Sequence, residues 1–130
     1  MPSKVSWIIL IAGAIVAFLL LKRLNQVTPA TAREWLNKGA LVIDVRSPAE
    51  FQERHLPGVI NIPLDRLGDE IARHAPDKAR PLLLHCRSGN RSSRGTSTLK
   101  KMGYQHVFNL GSYGQVEGIL GAHREGGSKR

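Results

Sequence analysis

Residues 82–92 read Leu82-Leu83-Leu84-His85-Cys86-Arg87-Ser88-Gly89-Asn90-Arg91-Ser92, an apolar run that breaks into small polar and basic residues around the chain's single cysteine. Pro81 opens the run. The unbroken leucines predict a strand buried on both faces, because a half-exposed strand would alternate. From Ser92 the pattern predicts a helix to Met102, stopped by Gly103. Cys86 therefore sits at the carboxyl end of a strand, in a short loop that feeds a helix. Such a loop turns successive backbone N–H groups inward, and the helix adds its unpaired N–H groups and the positive end of its dipole. Gly89 lets the backbone curl closely. Arg87 and Arg91 add permanent positive charge. A thiol in such a cradle ionises readily, and the thiolate is the nucleophilic form. The bland alternative is a small buried hydrophobe at a strand end, which suits the polar residues that follow Cys86 poorly. Cys86 is the candidate nucleophile, and Arg87, Ser88, Gly89, Asn90 and Arg91 form the candidate anion-binding loop.

Working outward, the same alternation repeats. Thr28-Pro29 has the form of a helix start, a capping hydroxyl followed by proline at the first helical position, and Gly39 closes that helix. Leu41-Val42-Ile43-Asp44-Val45 predicts another buried strand. Ser47-Pro48-Ala49-Glu50 matches a capping box and predicts a short helix to about Arg54. His55-Leu56-Pro57-Gly58 predicts a turn, and Val59-Ile60-Asn61-Ile62 a brief strand. Leu64, Leu67 and Ile71 have helical spacing over residues 64–74, and residues 104–109 predict a third strong strand. From Leu110 onward the chain is glycine-rich, and Gly118 and Gly121 weaken any final helix. Strand and helix in alternation predict an α/β domain, a parallel sheet with helices on both faces. In such sheets ligands bind outside the carboxyl ends of the strands, where Cys86 lies.

Taken in order, Asp44-Val45-Arg46, then His55-Leu56-Pro57-Gly58-Val59-Ile60-Asn61-Ile62-Pro63, then Cys86-Arg87-Ser88-Gly89-Asn90-Arg91-Ser92 resemble the rhodanese family. The likeness extends over residues 27–110. It implies a rhodanese-like sheet and a sulfurtransferase in which Cys86 takes a sulfane sulfur from a donor such as thiosulfate. The cysteine would hold that sulfur as a persulfide and pass it to cyanide, a thiol or a protein sulfur acceptor. Arg87 and Arg91 would draw in the anionic donor. Asp44 and Arg46 would hold the cysteine loop or contact substrate, or else form an ion pair or cap at the helix start. Cysteine-dependent phosphatases and arsenate reductases are similar but use Cys-x5-Arg, one residue longer. Here the fifth residue after Cys86 is Arg91 and the sixth is Ser92. A second possibility is a tethered sulfur carrier or partner-binding module with little turnover. The family's usual Gly-Gly pair and following tryptophan are replaced by Gly111-Ser112-Tyr113-Gly114, which alters one wall of the expected pocket.

Residues 5–21 carry no charge and only Ser6 is polar. At helical rise they span about 26 Å, and Leu24 lengthens the apolar face, so residues 5–24 predict a single transmembrane helix. Trp7 suits an interfacial position, and flanking lysines can snorkel. A cleaved leader is disfavoured because Lys22 and Arg23 follow the apolar stretch directly. The first small-x-small site beyond them, Ala30-Thr31-Ala32, lies inside the predicted domain. Lys22, Arg23, Arg33 and Lys38 follow the segment, whereas only Lys4 and the amino terminus precede it, which predicts a single-pass protein with its domain in the cytoplasm. One cysteine excludes an internal disulfide and agrees with a reducing compartment. Residues 27–123 are assigned to the domain and residues 124–130 to a basic flexible tail. The net charge of +9 favours anionic lipid over nucleic acid, for which no helix-turn-helix or RNA-binding signature exists. His74, His106 and His123 lack ligand spacing and no nucleotide motif occurs, so neither metal nor cofactor is expected. His55 is expected to pack, and His85 to point away from Cys86.

Overall fold

Four apolar segments become parallel strands because each must be covered on both sides. The computed structural model describes residues 3–24 and 26–128. It contains strands β1 (Leu41–Asp44), β2 (Ile60–Asn61), β3 (Leu82–His85) and β4 (Val107–Gly111). They form one sheet in the order β2-β1-β3-β4, and every pair is parallel. The helices are α1 (Lys4–Leu24), α2 (Pro29–Asn37), α3 (Pro48–Glu53), α4 (Leu67–His74), α5 (Asn90–Lys101) and α6 (Tyr113–Ser128), with a 3-10 turn over Leu64–Arg66 before α4.

The pleat divides the core as the period of two requires. Ile43, Leu82, Leu84 and Val107 pack against Leu67 and Ile71 of α4 and Leu99 of α5. Val42, Leu83 and Leu110 pack against Ala32 of α2 and Val116, Ile119 and Leu120 of α6. Helices thus cover both faces of an α/β sheet. Leu82, Leu83 and Leu84 have no exposed surface, and each such side chain stabilises the fold by roughly 1.5–3 kcal/mol. Helix α5 lies so close to the sheet that a methyl group on Gly95 would come within 2.8 Å of Leu84 Cδ2 and 3.0 Å of Leu67 Cδ2.

Local signals act where expected at several ends. Thr28 caps α2 by accepting the Thr31 N–H. Ser47 and Glu50 form the reciprocal capping box of α3, with both bonds at 3.2 Å. Two elements differ from expectation. Strand β4 starts at Val107, because Tyr104 turns into the core and donates its hydroxyl proton to Ala75 O at 2.7 Å. The glycine-rich end forms α6 despite weak propensity. The Ser112 N–H donates to Gln115 Oε1 at 3.0 Å and the Gln115 N–H donates to Ser112 Oγ at 3.4 Å, a cap at the first turn. Burial of Val116, Ile119 and Leu120 then outweighs the glycines. Helix α6 reaches Ser128 and takes in residues assigned to the tail; Lys129 and Arg130 lie outside the described residues.

Helix α1 stands apart from this core. It is long and apolar enough to cross a membrane, and its apolar span has no buried residue. Ile8, Ile9, Phe18 and Leu21 are each more than half exposed. The core of the domain therefore does not account for its apolar composition.

The chain order places the site. From β1 the chain leads through α3 to the edge strand β2, and from β3 it leads through α5 to β4 on the other side. The loops after β1 and β3 diverge, which opens a crevice at the carboxyl ends of two adjacent strands.

Candidate active site

Strand β3 delivers Cys86 to that crevice. The Cys86 N–H donates to Gly111 O at 3.3 Å, tying the start of the loop to the end of β4. The pairing of β3 with β4 is irregular here: Leu84 faces Asn109, but His85 faces Gly111. A bulge of this kind redirects side chains at a sheet end, and Asn109 comes to lie beneath the cysteine loop.

The Cys86 side chain has no exposed surface, yet its sulfur faces polar groups. The Gly89 N–H donates to Sγ at 3.0 Å, and Ser92 Oγ lies 3.5 Å away. Burial pushes the thiol pKa up. Hydrogen bonds from the Ser92 hydroxyl and from the N–H groups of Ser92, Gly89 and Ser88 outweigh burial and hold the pKa below its ordinary value. The Ser92 hydroxyl has one proton and three acceptors in reach: Asn109 Oδ1 at 2.7 Å, Gly89 O at 3.1 Å and Sγ. Asn109 holds the best geometry, so the backbone N–H groups are the steady donors to sulfur and the hydroxyl turns to sulfur as charge develops.

Glycine is required at position 89. Its φ is +93°, and a methyl group there would lie 3.0 Å from Gln26 Nε2 and 3.4 Å from Gly111 Cα. The left-handed turn is what points its N–H at the sulfur. Asn109 locks the turn from below: Nδ2 donates to Gly89 O at 3.1 Å, and Oδ1 accepts the Gly111 N–H at 2.9 Å.

The basic residues fall into two groups. Arg91 is held by Glu50 through two hydrogen bonds of 2.7 and 3.0 Å. Arg91 in turn holds the Glu50 carboxyl well below the usual range, at about 2. Arg46 is also committed. It chelates the buried Asp44 carboxylate through Nε at 3.0 and 2.9 Å and reaches Arg54 O at 2.6 Å. Arg87 is exposed, and its guanidinium has no hydrogen-bond or ion-pair partner among the described residues. Of the three, it alone presents an unspent charge. Ser88 is exposed and forms an isolated bridge to Ser112, and Asn90 begins α5.

His85 does point to the face opposite Cys86, where its ring meets Tyr113 edge-on at 6.0 Å. Burial, the dominant influence, pushes its pKa down although the Asp44 charge opposes this. Its Nε2 lies 3.9 Å from Asp44 Oδ2, too far for a hydrogen bond, and neither ring nitrogen has a partner among the described residues. His55 stacks on Phe51 at 4.0 Å.

An open cleft of about 390 Å³ adjoins the loop, lined by Arg46, Glu50, Glu53, Arg54, Arg87 and Tyr113. The Arg46 and Arg54 guanidiniums each lie 4.8 Å from the Tyr113 ring centre. Sequence reasoning did not single out Ser92 as a sulfur contact, and it missed Asn109, Glu50 and Tyr113 as site residues. Only the bulge and the approach of α3 and α6 bring them there. The one available signal was Tyr113 itself, in the segment that departs from the expected pattern.

Comparison with known proteins agrees with this geometry. The rhodanese-like domain family matches residues 28–117. The thiosulfate sulfurtransferase PspE of Escherichia coli K12 is 42% identical over 69 residues, covering 53% of this chain and 66% of that protein, just under two thirds of its length. Among solved structures, an E. coli rhodanese with anions is similar at TM-score 0.57 and 38% identity, covering 58% of this chain and 89% of that one. The human single-domain sulfurtransferase TSTD1 is similar at TM-score 0.60 and 27% identity, covering 70% and 93%. Sheet order, cysteine loop and sequence likeness agree: the chain belongs to the rhodanese-like domain family.

Proposed function

We propose that this protein is a membrane-anchored sulfurtransferase in which Cys86 carries sulfur as a persulfide between a donor such as thiosulfate and a thiol, cyanide or protein acceptor. The observation that carries the reading is the Gly89 N–H directed at a buried Cys86 sulfur at 3.0 Å, within a loop that lowers the thiol pKa. The Cys86 thiolate attacks the outer sulfur of thiosulfate. A new S–S bond forms, the S–S bond of thiosulfate breaks, and sulfite leaves with its electron pair. The acceptor thiolate then attacks the outer sulfur of the persulfide, and Cys86 departs as thiolate. Two such steps with one enzyme form in between give ping-pong kinetics.

Ser88, Gly89 and Ser92 supply donors around the sulfur, and Asn90 starts the helix whose dipole favours negative charge there. Arg87 draws in the anionic donor. Arg91, spent on Glu50, fixes α3 against α5 while its charge still favours a thiolate. Asp44 and Arg46 shape the neighbouring loop.

The anchor reading rests on α1, which exposes apolar side chains on all sides. Residues 5–24 span the bilayer, residues 27–123 form the domain, and residues 124–130 form the basic end. The excess of Lys and Arg after α1 sets the domain on the cytoplasmic side.

The test is intact-protein mass spectrometry after thiosulfate, beside a Cys86→Ser control, followed by addition of cyanide or thiol. Gain of one sulfur atom on the wild type alone, then its loss with turnover, supports the enzyme. A persulfide that forms without turnover supports a tethered carrier instead, and no gain of sulfur overturns both. Recovery of the full chain in the membrane fraction, released only by detergent, checks the anchor.

A further inference from the structure

We infer that the face of the domain around the sulfur loop is a membrane-contacting surface, seated on the phospholipid headgroup layer, so that Cys86 lies at the bilayer interface. The inference rests on the reading of α1 as a membrane anchor and specifies which face of the domain meets the lipid.

Chain geometry carries the argument. Helix α1 ends at Leu24, and Gln26 follows two positions later. Two residues reach at most about 7 Å. Gln26 forms a parallel bridge with Asn109, and the Val27 N–H donates to Asn109 O at 3.0 Å. The chain is thus pinned to β4 as soon as it leaves the helix. Asn109 also holds Gly89 O, through Nδ2. The Gln26 side chain itself lies against the loop. A methyl group on Gly89 would come within 3.0 Å of its Nε2, and one on Gly111 within 2.9 Å of its Cδ. The apolar span runs to Leu21, and three further helical residues add about 4.5 Å. Gln26 therefore lies no more than roughly 12 Å above the hydrocarbon edge, beside a headgroup layer about 5–8 Å deep. That bound holds for any tilt of α1, because tilting only lowers the rise. Gly89, whose N–H donates to Cys86 Sγ, is held near the same level.

The composition of this face fits lipid. Two open grooves separate α1 from the loop, of about 570 and 310 Å³. Val16, Leu19 and Leu20 wall the first on the α1 side, and Phe18 and Leu21 the second. The domain side presents Gln26, Ser88, Asn90, Ser93, Ser112 and Gln115. None of the described residues lining either groove is charged, although the chain carries 19 Lys and Arg and 10 Asp and Glu. The cleft beside Tyr113 has the opposite character, with Arg46, Glu50, Glu53, Arg54 and Arg87 in its wall. Charged side chains are costly beside hydrocarbon, whereas amides and hydroxyls hydrogen-bond to headgroup and glycerol oxygens at little cost. An uncharged polar rim next to an apolar helix is the pattern expected where a domain rests on a bilayer. Ser88, Asn90 and Gln115 are exposed, so lipid reaches them without rearrangement of the fold.

The single cysteine reports its own surroundings. The full chain is placed in lipid nanodiscs of phosphatidylcholine alone or with phosphatidylserine added. Cys86 is then alkylated with iodoacetate, an anion, and with iodoacetamide, which is neutral. The ratio of the two rates cancels any change in thiol ionisation. For a site at headgroup level the ratio should fall roughly 1.5- to threefold in the anionic discs, as the anion is depleted near the surface, and should recover in high salt. A ratio that ignores lipid charge overturns the inference. A second measurement does not depend on Cys86 reactivity. In the Cys86→Ser background, a fluorophore on Ser93→Cys should be quenched by headgroup spin-labelled lipid. One on Ala79→Cys, before β3 at the amino end of the sheet, should not. Equal quenching at the two positions, or none at Ser93, overturns the inference. Recovery of the chain with the disc separates its failure from failure of the anchor. A chain that does not enter discs overturns the anchor reading and this inference with it, whereas a chain in discs with an unquenched label at position 93 overturns this inference alone.

Discussion

The loop after β1 and the loop after β3 leave the sheet side by side, since Asp44 and His85 are partners in register. Yet the first is held by ionised side chains and the second by backbone amides. After β1, Asp44 and Arg46 bury a bidentate ion pair whose geometry leaves little charge for a ligand. After β3, N–H groups converge on Cys86 while Arg87 stays uncommitted. The difference teaches how a small site divides its labour. Paired charges set the shape, and unpaired dipoles meet the reacting atom, where they need no reorganisation as charge develops.

The largest effect is expected on the ionic side. Arg46→Met leaves the Asp44 carboxylate buried without its cation and should lower stability by about 3–5 kcal/mol in urea unfolding. Replacing both partners, Asp44→Leu with Arg46→Met, should recover much of that loss; no recovery would mean the pair also supports the fold through the Arg54 carbonyl.

The backbone side is tested at the turn. Gly89→Ala forces a side chain into φ +93° against Gln26 and Gly111, at a cost of roughly 1–3 kcal/mol. Sulfur transfer from thiosulfate should fall at least about tenfold because the N–H turns from the sulfur. Full activity in a folded variant would show that this amide is not needed.

Ser92→Ala removes one donor to sulfur and the proton that Asn109 accepts, costing about 1 kcal/mol. Because hydrogen bonds to the thiolate depress the Cys86 pKa, reactivity is at its plateau above the folded-state value and declines as pH falls below it. The variant should move that inflection to higher pH in alkylation rates. An unmoved inflection would leave the amides alone responsible.

The smallest effect belongs to Glu50→Gln, since the Arg91 pair is about one third exposed, and a loss of roughly 0.2–1 kcal/mol is expected. The folded Glu50 pKa is about 2 against an ordinary 4.5. Its contribution is fully present above pH 4.5 and is lost as pH falls through about 2. Acid unfolding of the variant should show a shallower decline over that window.

Much of this was readable before any fold was known. The leucine run, the Ser47–Glu50 cap and the Thr28-Pro29 start act through neighbours three or four residues apart, so sequence order alone carries them. Other features were not readable. Asn109 lies 17 residues from Ser92 and enters the site only through the register shift between β3 and β4. Arg91 looked like an anion binder, but Glu50, 41 residues away, claims it. Helix α6 looked weak because propensity weighs its glycines, whereas its stability comes from Val116, Ile119 and Leu120 against the sheet.

From the sequence by itself follow the apolar N-terminal segment, the α/β alternation and a cysteine in an amide-rich loop, because each is written in contiguous residues and short-range periodicity. Only the tertiary structure decides which arginine is spent and which is free, and which side chains brace the loop. Those outcomes depend on contacts between residues distant in the chain, and such contacts exist only once the strands have taken their order and register.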